Sequence, residues 1–134
     1  MKIFIDTNIF IDLVQKREEI AAAKKIFSLI ESGFFTAYIA DVTLVNIAYI
    51  ARKQQVDITK FLYYVCKQCI VLGAGNSDAE AALALKNQDF EDNLQSILAH
   101  KALCQMIITN DKTFPQDKIK VISSSEFVKH YCLS

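Results

Sequence analysis

One proline and three glycines in 134 residues leave little material for linkers or repeats. With no low-complexity run or block of like charge, the chain is not a string of loosely joined segments. Regular elements connected by short loops are expected. Neither charge sign is in excess, since 15 Lys and Arg stand against 15 Asp and Glu. No basic surplus marks a nucleic-acid binder, so such a role has to come from a local site. No run approaches the ~18 consecutive apolar residues that a membrane span requires. The opening segment does not read as a secretory signal, because Asp6 and Asp12 interrupt its apolar residues and no small-residue cleavage site follows. A cytoplasmic location is expected, where the four cysteines (Cys66, Cys69, Cys104, Cys132) stay mostly reduced.

Apolar residues are plentiful. They make up 52% of the chain, and the mean hydropathy of +0.21 favours a sheet covered on both faces. Residues 2–6 read as a strand and 8–15 as a short helix begun by Thr7 or Asn8. Helical spacing of Ile20, Ala23, Ile26, Phe27 and Ile30 predicts a helix over 18–32, with Gly33 as its stop. Then follow a strand over 35–40, a helix from an Asp41 cap to about Lys53, a helix over 57–68 and a short strand in "CIVLG". An Ala-rich helix over 77–87 precedes one begun by Asp89, whose apolar stripe is Leu94, Ile97, Leu98 and Ala102. Strands "MIIT" and "IKVIS" and a last helix, opened by the capping-box pair Ser123 and Glu126, complete the chain. This alternation predicts one domain over residues 1–134. Its architecture is a three-layer α/β/α sandwich with a central, mainly parallel sheet of about five strands.

In such sheets ligands bind beyond the carboxyl ends of the strands. Asp6 ends the first strand, Asp111 follows "MIIT", and Asp92 lies in the first turn of the helix feeding that strand. Right-handed crossovers can bring the three to one edge, with Asn46 near the same spot. Crowded carboxylates repel unless a cation compensates, and oxygen-only ligands suit Mg²⁺ or Mn²⁺. Such an ion can activate water and neutralise charge on a phosphodiester. Each residue also has a plainer role. Asp6 could cap the next helix, Asp89 and Asp92 have N-cap and N3 spacing, and Asp111 suits a turn. Asn46 could be a satisfied polar residue near a helix end. Asp12 reads as a solvated helix residue. Convergence, rather than any one acid, favours the metal.

The segments "FIDTNIFIDL", "ADVTLVNIAYIARK", "DFEDNLQSILA" and "IITNDKTF", in that order, resemble the PIN-domain ribonucleases of the VapC-like toxin type. They span residues 4–114, and "VISSSEF" resembles the family's last strand and helix. The resemblance implies a Mg²⁺- or Mn²⁺-dependent endoribonuclease acting on RNA, a homodimer, and inhibition by a cognate antitoxin protein. It places Asp6, Asp92 and Asp111 as metal-binding acids, with Thr7 and Thr109 as supporting hydroxyls. Asn46 stands where many PIN nucleases carry Glu, although "TLVNIAYI" is close to the pattern of a branch with Asn there. An amide brings an oxygen but no charge, so lower metal affinity is expected. Thr113 replaces an acid often found just before the Phe.

The remaining signals are weaker. "CKQC" (66–69) falls where a helix gives way to a strand, unlike a thioredoxin-type pair, and a zinc site would need two further ligands. Structural cysteines are expected. "GAGN" (73–76) has Asp78 at its third glycine position and no Walker-type lysine, so it does not cradle phosphate. His100 has no catalytic role. Arg52, Lys53, Lys60 and Lys67 read first as solvated residues and second as contacts to an RNA backbone. "FLYYVCK" (61–67) and Tyr49 read first as core. Two rivals to the nuclease are a catalytically weakened PIN domain that binds RNA or protein, and a haloacid-dehalogenase-type phosphatase. The phosphatase wants a second Asp where Asn8 stands. Metal-dependent cleavage of RNA, beside a phosphomonoester substrate, separates the three.

Overall fold

The computed structural model describes residues 1–15 and 20–132. In chain order the elements are β1 (Lys2–Ile5), α1 (Thr7–Val14), α2 (Ile20–Glu31), β2 (Thr36–Ala40), α3 (Asp41–Lys53) and α4 (Thr59–Gln68). There follow β3 (Cys69–Leu72), α5 (Asn76–Leu83), α6 (Phe90–Lys101), β4 (Met106–Ile108), β5 (Lys120–Ile122) and α7 (Ser124–Tyr131). The five strands form one sheet in the order β3-β2-β1-β4-β5, and every pairing is parallel. The expected sandwich is therefore present, and its sheet is wholly parallel. Among the described residues no helix is long and apolar enough to cross a membrane.

Alternate residues of each strand face opposite sides, which sorts the core into two. Ile3 and Ile5 of β1 pack with Ile9 and Phe10 of α1, Ile26 of α2, Ile47 of α3, Val65 of α4 and Phe127 of α7. Phe4, between them, faces Ala82 of α5 and Leu94 and Leu98 of α6. A strand buried on both faces has no polar side, which explains its unbroken apolar sequence.

Most expected boundaries are met within a residue or two. Residues 18 and 19 of the expected second helix lie outside the described residues. Gly33 sits just past α2 with φ of 84°, a backbone that glycine adopts without penalty, and its N–H donates to Ile30 O. Asp41 does not cap α3. Ala40 holds the N-cap backbone, and Asp41 is the first helical residue, accepting from the Val42 N–H at 2.8 Å. Ser123 caps α7 as expected, through Glu126 N at 3.2 Å. Asp12 corrects another expectation: it is 5% exposed rather than solvated. The surface of α1 is buried over Thr7, Ile9, Phe10, Ile11 and Asp12, and the Asp12 carboxylate accepts from Asn110 Nδ2 at 2.9 Å.

Register positions the first acid. Ile5 of β1 pairs with Ile108 of β4, so Asp6 and Thr109 leave the sheet side by side. The Asp6 N–H donates to Ile108 O, and the Thr109 N–H donates to Ile122 O on the next strand.

Candidate active site

Asp6 has the backbone of an N-cap for α1, yet its side chain does not cap that helix. It accepts from Gln95 Nε2 at 2.7 Å on Oδ1 and from Thr109 Oγ1 at 2.6 Å on Oδ2. Only 3% of Asp6 is exposed. Its pKa is raised to about 6: burial pushes it up most, the Thr109 and Gln95 donors pull against that, and the Glu91 charge adds to the rise.

Asp92 sits in the first turn of α6. Asp89 is the N-cap, and its Oδ1 accepts from the Asp92 N–H at 3.0 Å. The expected split of roles thus holds for Asp89. The Asp92 carboxylate behaves differently, because its Oδ2 is buried with no hydrogen-bond partner. A buried unsatisfied oxygen is costly and calls for an explanation. The Asp92 pKa is raised to about 7, by burial first and then by the charges of Asp6, Asp89, Asp111 and Glu91.

Asp111 lies in the turn after β4. Its Oδ1 accepts from Thr113 N at 2.9 Å and Thr113 Oγ1 at 2.6 Å, so it is a turn residue as well. The Thr109 hydroxyl ties this turn to Asp6. It donates to Asp6 and accepts from Asp111 N at 3.0 Å and from Asn8 Nδ2 at 3.3 Å. Thr109 therefore supports the acids as expected. The Thr7 hydroxyl does not, being paired with Thr43 Oγ1 at 2.8 Å.

Asp6, Asp92, Asp111 and Asn46 line one cleft of about 330 Å³, together with Asn8 and Glu91. The expected acids do converge there. Tyr49 also lines this cleft and is exposed, contrary to its reading as core, with Lys53 Nζ 4.6 Å from its ring centre. The "FLYYVCK" stretch divides: Val65 is buried while Tyr63 is exposed. Cys66 and Cys69 are free thiols, and burial pushes the Cys69 thiol up to about 12, which suits a structural cysteine.

A family model for the PIN domain matches residues 2–113. The chain belongs to the PIN-domain family. It is 28% identical over 141 aligned positions to Ribonuclease VapC1 of Aquifex aeolicus (strain VF5), an alignment covering 97% of this chain and 95% of that protein. Its fold is similar to that of a toxin–antitoxin complex from Klebsiella pneumoniae, with a TM-score of 0.69 and 19% identity over 90% of this chain and 96% of the other. It is also similar to VapBC2 from Rickettsia felis bound to a DNA fragment from their promoter, with a TM-score of 0.65, 15% identity, and coverage of 91% and 97%.

Two residues at the site of this PIN domain escaped sequence reasoning: Gln95, which bonds Asp6, and Glu91, which lines the cleft. Gln95 is fully buried and clamps the β1–α1 corner, donating to Asp6 and accepting from Thr7 N at 3.3 Å. Its spacing, one helical turn after Asp92, was a usable signal. Glu91 is the second, and its Oε1 accepts from Asn46 Nδ2 at 2.8 Å. Among the described residues, no group of three or more His, Cys, Asp and Glu side chains is placed to hold a metal ion. The donor set is nevertheless all oxygen, and Asp92 offers a buried oxygen with nothing to bind. Those features fit a hard divalent ion that keeps several waters in its shell.

Proposed function

We propose that this PIN domain is a divalent-metal-dependent endoribonuclease, hydrolysing RNA phosphodiester bonds as the toxin of a toxin–antitoxin pair. The observation carrying this reading is the unpartnered, buried Oδ2 of Asp92 in a cleft shared with Asp6 and Asp111. The ribonuclease name of the Aquifex relative and the toxin–antitoxin assemblies among the structural neighbours support it. An antitoxin protein, a homodimer and a cytoplasmic setting belong to the same reading.

Asp6, Asp92 and Asp111 would hold Mg²⁺ or Mn²⁺, directly or through water. When bound, the ion supplies the positive charge that a phosphodiester's attack and departure steps require and makes water a better acid. The chain's own residues prepare the site for it. Gln95 and Thr109 fix both Asp6 oxygens, so the carboxylate does not reorient on loading. Thr113 holds Asp111 in its turn. Asp92, whose pKa burial and its acidic neighbours raise to about 7, would hold the ion as the ionised carboxylate. Tyr49, exposed at the cleft, offers a face on which an unpaired base can stack, with Arg52 and Lys53 at the same helix end.

The test is cleavage of a panel of RNAs with and without Mn²⁺, using wild type and Asp6→Asn. Wild type should cut only with metal, and the variant should be folded and inactive. Full activity of the variant, or cutting that persists in chelator, would refute the reading.

A further inference from the structure

Glu91 is a further acid of the cleft beside its four aspartates, Asp6, Asp89, Asp92 and Asp111, and it is held by the uncharged Asn46. Glu91 projects from the first turn of α6, next in the chain to Asp92. Asn46 projects from the second turn of α3 and donates Nδ2 to Glu91 Oε1 at 2.8 Å. Both line the cleft with Asp6, Asp92 and Asp111. The Glu91 charge is close enough to act on Asp6 and on Asp92. Beside it lies the independent sign of a ligand, the buried Asp92 oxygen that no protein group satisfies.

An amide at position 46 brings no charge, but it does bring a donor. A Glu there would repel Glu91, whereas Asn46 binds it. Glu91 is half-buried on a long flexible side chain, and the Asn46 hydrogen bond restricts where its carboxylate can lie. We propose that Glu91 is a fourth carboxylate serving the ion, beside Asp6, Asp92 and Asp111, and that Asn46 is a positioning residue acting through it. This inference rests on the divalent-metal reading above. In it Asn46 is not itself a metal ligand, and four acids serve the ion in place of three.

Mn²⁺ affinity, measured by calorimetry on the full chain without RNA, tests it through five variants. Glu91→Gln should bind Mn²⁺ about 10-fold more weakly, as expected when a site loses one carboxylate charge. Asn46→Ala should weaken binding by about 3-fold in the wild-type background and have no further effect in Glu91→Gln, the signature of a coupled pair. The exchange Asn46→Glu with Glu91→Gln should recover most of the affinity, because it places a charge on the other wall of the cleft. Circular dichroism confirms that each variant is folded. If Glu91→Gln binds Mn²⁺ as wild type does while Asp6→Asn does not, the fourth acid is overturned and the metal reading stands. If Asn46→Ala weakens binding equally in both backgrounds, Asn46 acts directly and the positioning role is overturned. If Asp6→Asn also binds normally, the metal reading itself fails, and this inference with it.

Discussion

Two acids rest against helix α6, and their surroundings are opposite. Asp92, in the first turn, has a buried oxygen without a partner and four other acids close enough to raise its pKa. Asp117 reaches the same helix further along and is held from every side. Ser96 Oγ donates to its Oδ2, His100 Nε2 meets its Oδ1, and the Ile119 N–H donates to it at 3.0 Å. These contacts, together with the electrostatic pull of His100, outweigh burial and hold Asp117 below the usual carboxylate range. Serine, histidine and aspartate here resemble a hydrolytic triad in composition alone. Asp117 stands between the other two, and the hydroxyl has no imidazole to take its proton. Asp117 is matched by donors and serves the fold, whereas the Asp92 oxygen left without one is the atom that the proposed cation would satisfy.

The sharpest way to break this contrast is to neutralise each acid in turn. Asp92→Asn should lower metal-dependent RNA cleavage by roughly 10²–10³-fold, the scale of losing one group that stabilises developing charge. The same change should raise the thermal midpoint of the metal-free protein near pH 8, because it removes a charge that the fold disfavours. A variant that loses activity by unfolding would show the reverse.

Titration sharpens it further. Asp6 and Asp92 hold protons more tightly in the folded chain than in the unfolded one, with pKa values of about 6 and about 7 against 3.8. The folded state therefore binds more protons across that interval, and stability falls as pH rises from about 4 through about 7. The loss in chelator should total roughly 3 kcal/mol or more. Adding Mn²⁺ near pH 8 should recover it. Asp117 works in the opposite sense. Its stabilisation is present above the unfolded pKa and disappears in more acidic solution as pH falls through its lowered value. Midpoints that climb steadily from pH 5 to about pH 8 in chelator would contradict the assignment for Asp6 and Asp92.

Asp117→Asn should cost about 1–3 kcal/mol of stability by leaving its donors poorly matched, with cleavage per folded molecule unchanged. Denaturant unfolding beside an activity assay decides between that outcome and a catalytic role. The smallest effect belongs to Cys66→Ser, an exposed thiol, which should alter neither the thermal midpoint nor cleavage. A marked loss on that change would reopen the case for a metal or redox use of "CKQC".

How far the sequence alone reached follows from which distances are local. Asp6 and Asp111 were legible because each stands just past a strand end, and parallel sheets place that edge at the ligand site. Asp92 was legible through its place in the first turn of the helix feeding β4. The strand order and the all-parallel pairing carry Asp6 to Thr109, and a run of apolar residues gives only the tendency to pair. Asp12 was misread because a single acid among "IFIDLV" looks like the wet side of a helix. The helix is instead buried around most of its surface, and Asn110 from the far end of the chain satisfies the acid. Asp41 was one residue off because Asp both caps and begins helices, and only the φ and ψ of Ala40 separate the two. The Asn46–Glu91 pair joins residues 45 positions apart on different helices, so neither residue's own neighbourhood announces it.

The most direct measurement is Mn²⁺ binding to wild type and Asp92→Asn near neutral pH, by calorimetry in two buffers of different ionisation enthalpy. Wild type should bind with release of part of a proton, because Asp92 with a pKa of about 7 is partly protonated near neutral pH and would be ionised with the ion bound, and the variant should bind far more weakly with less release. Equal affinity and equal proton release in the two proteins would contradict the claim that this cleft is built around a cation.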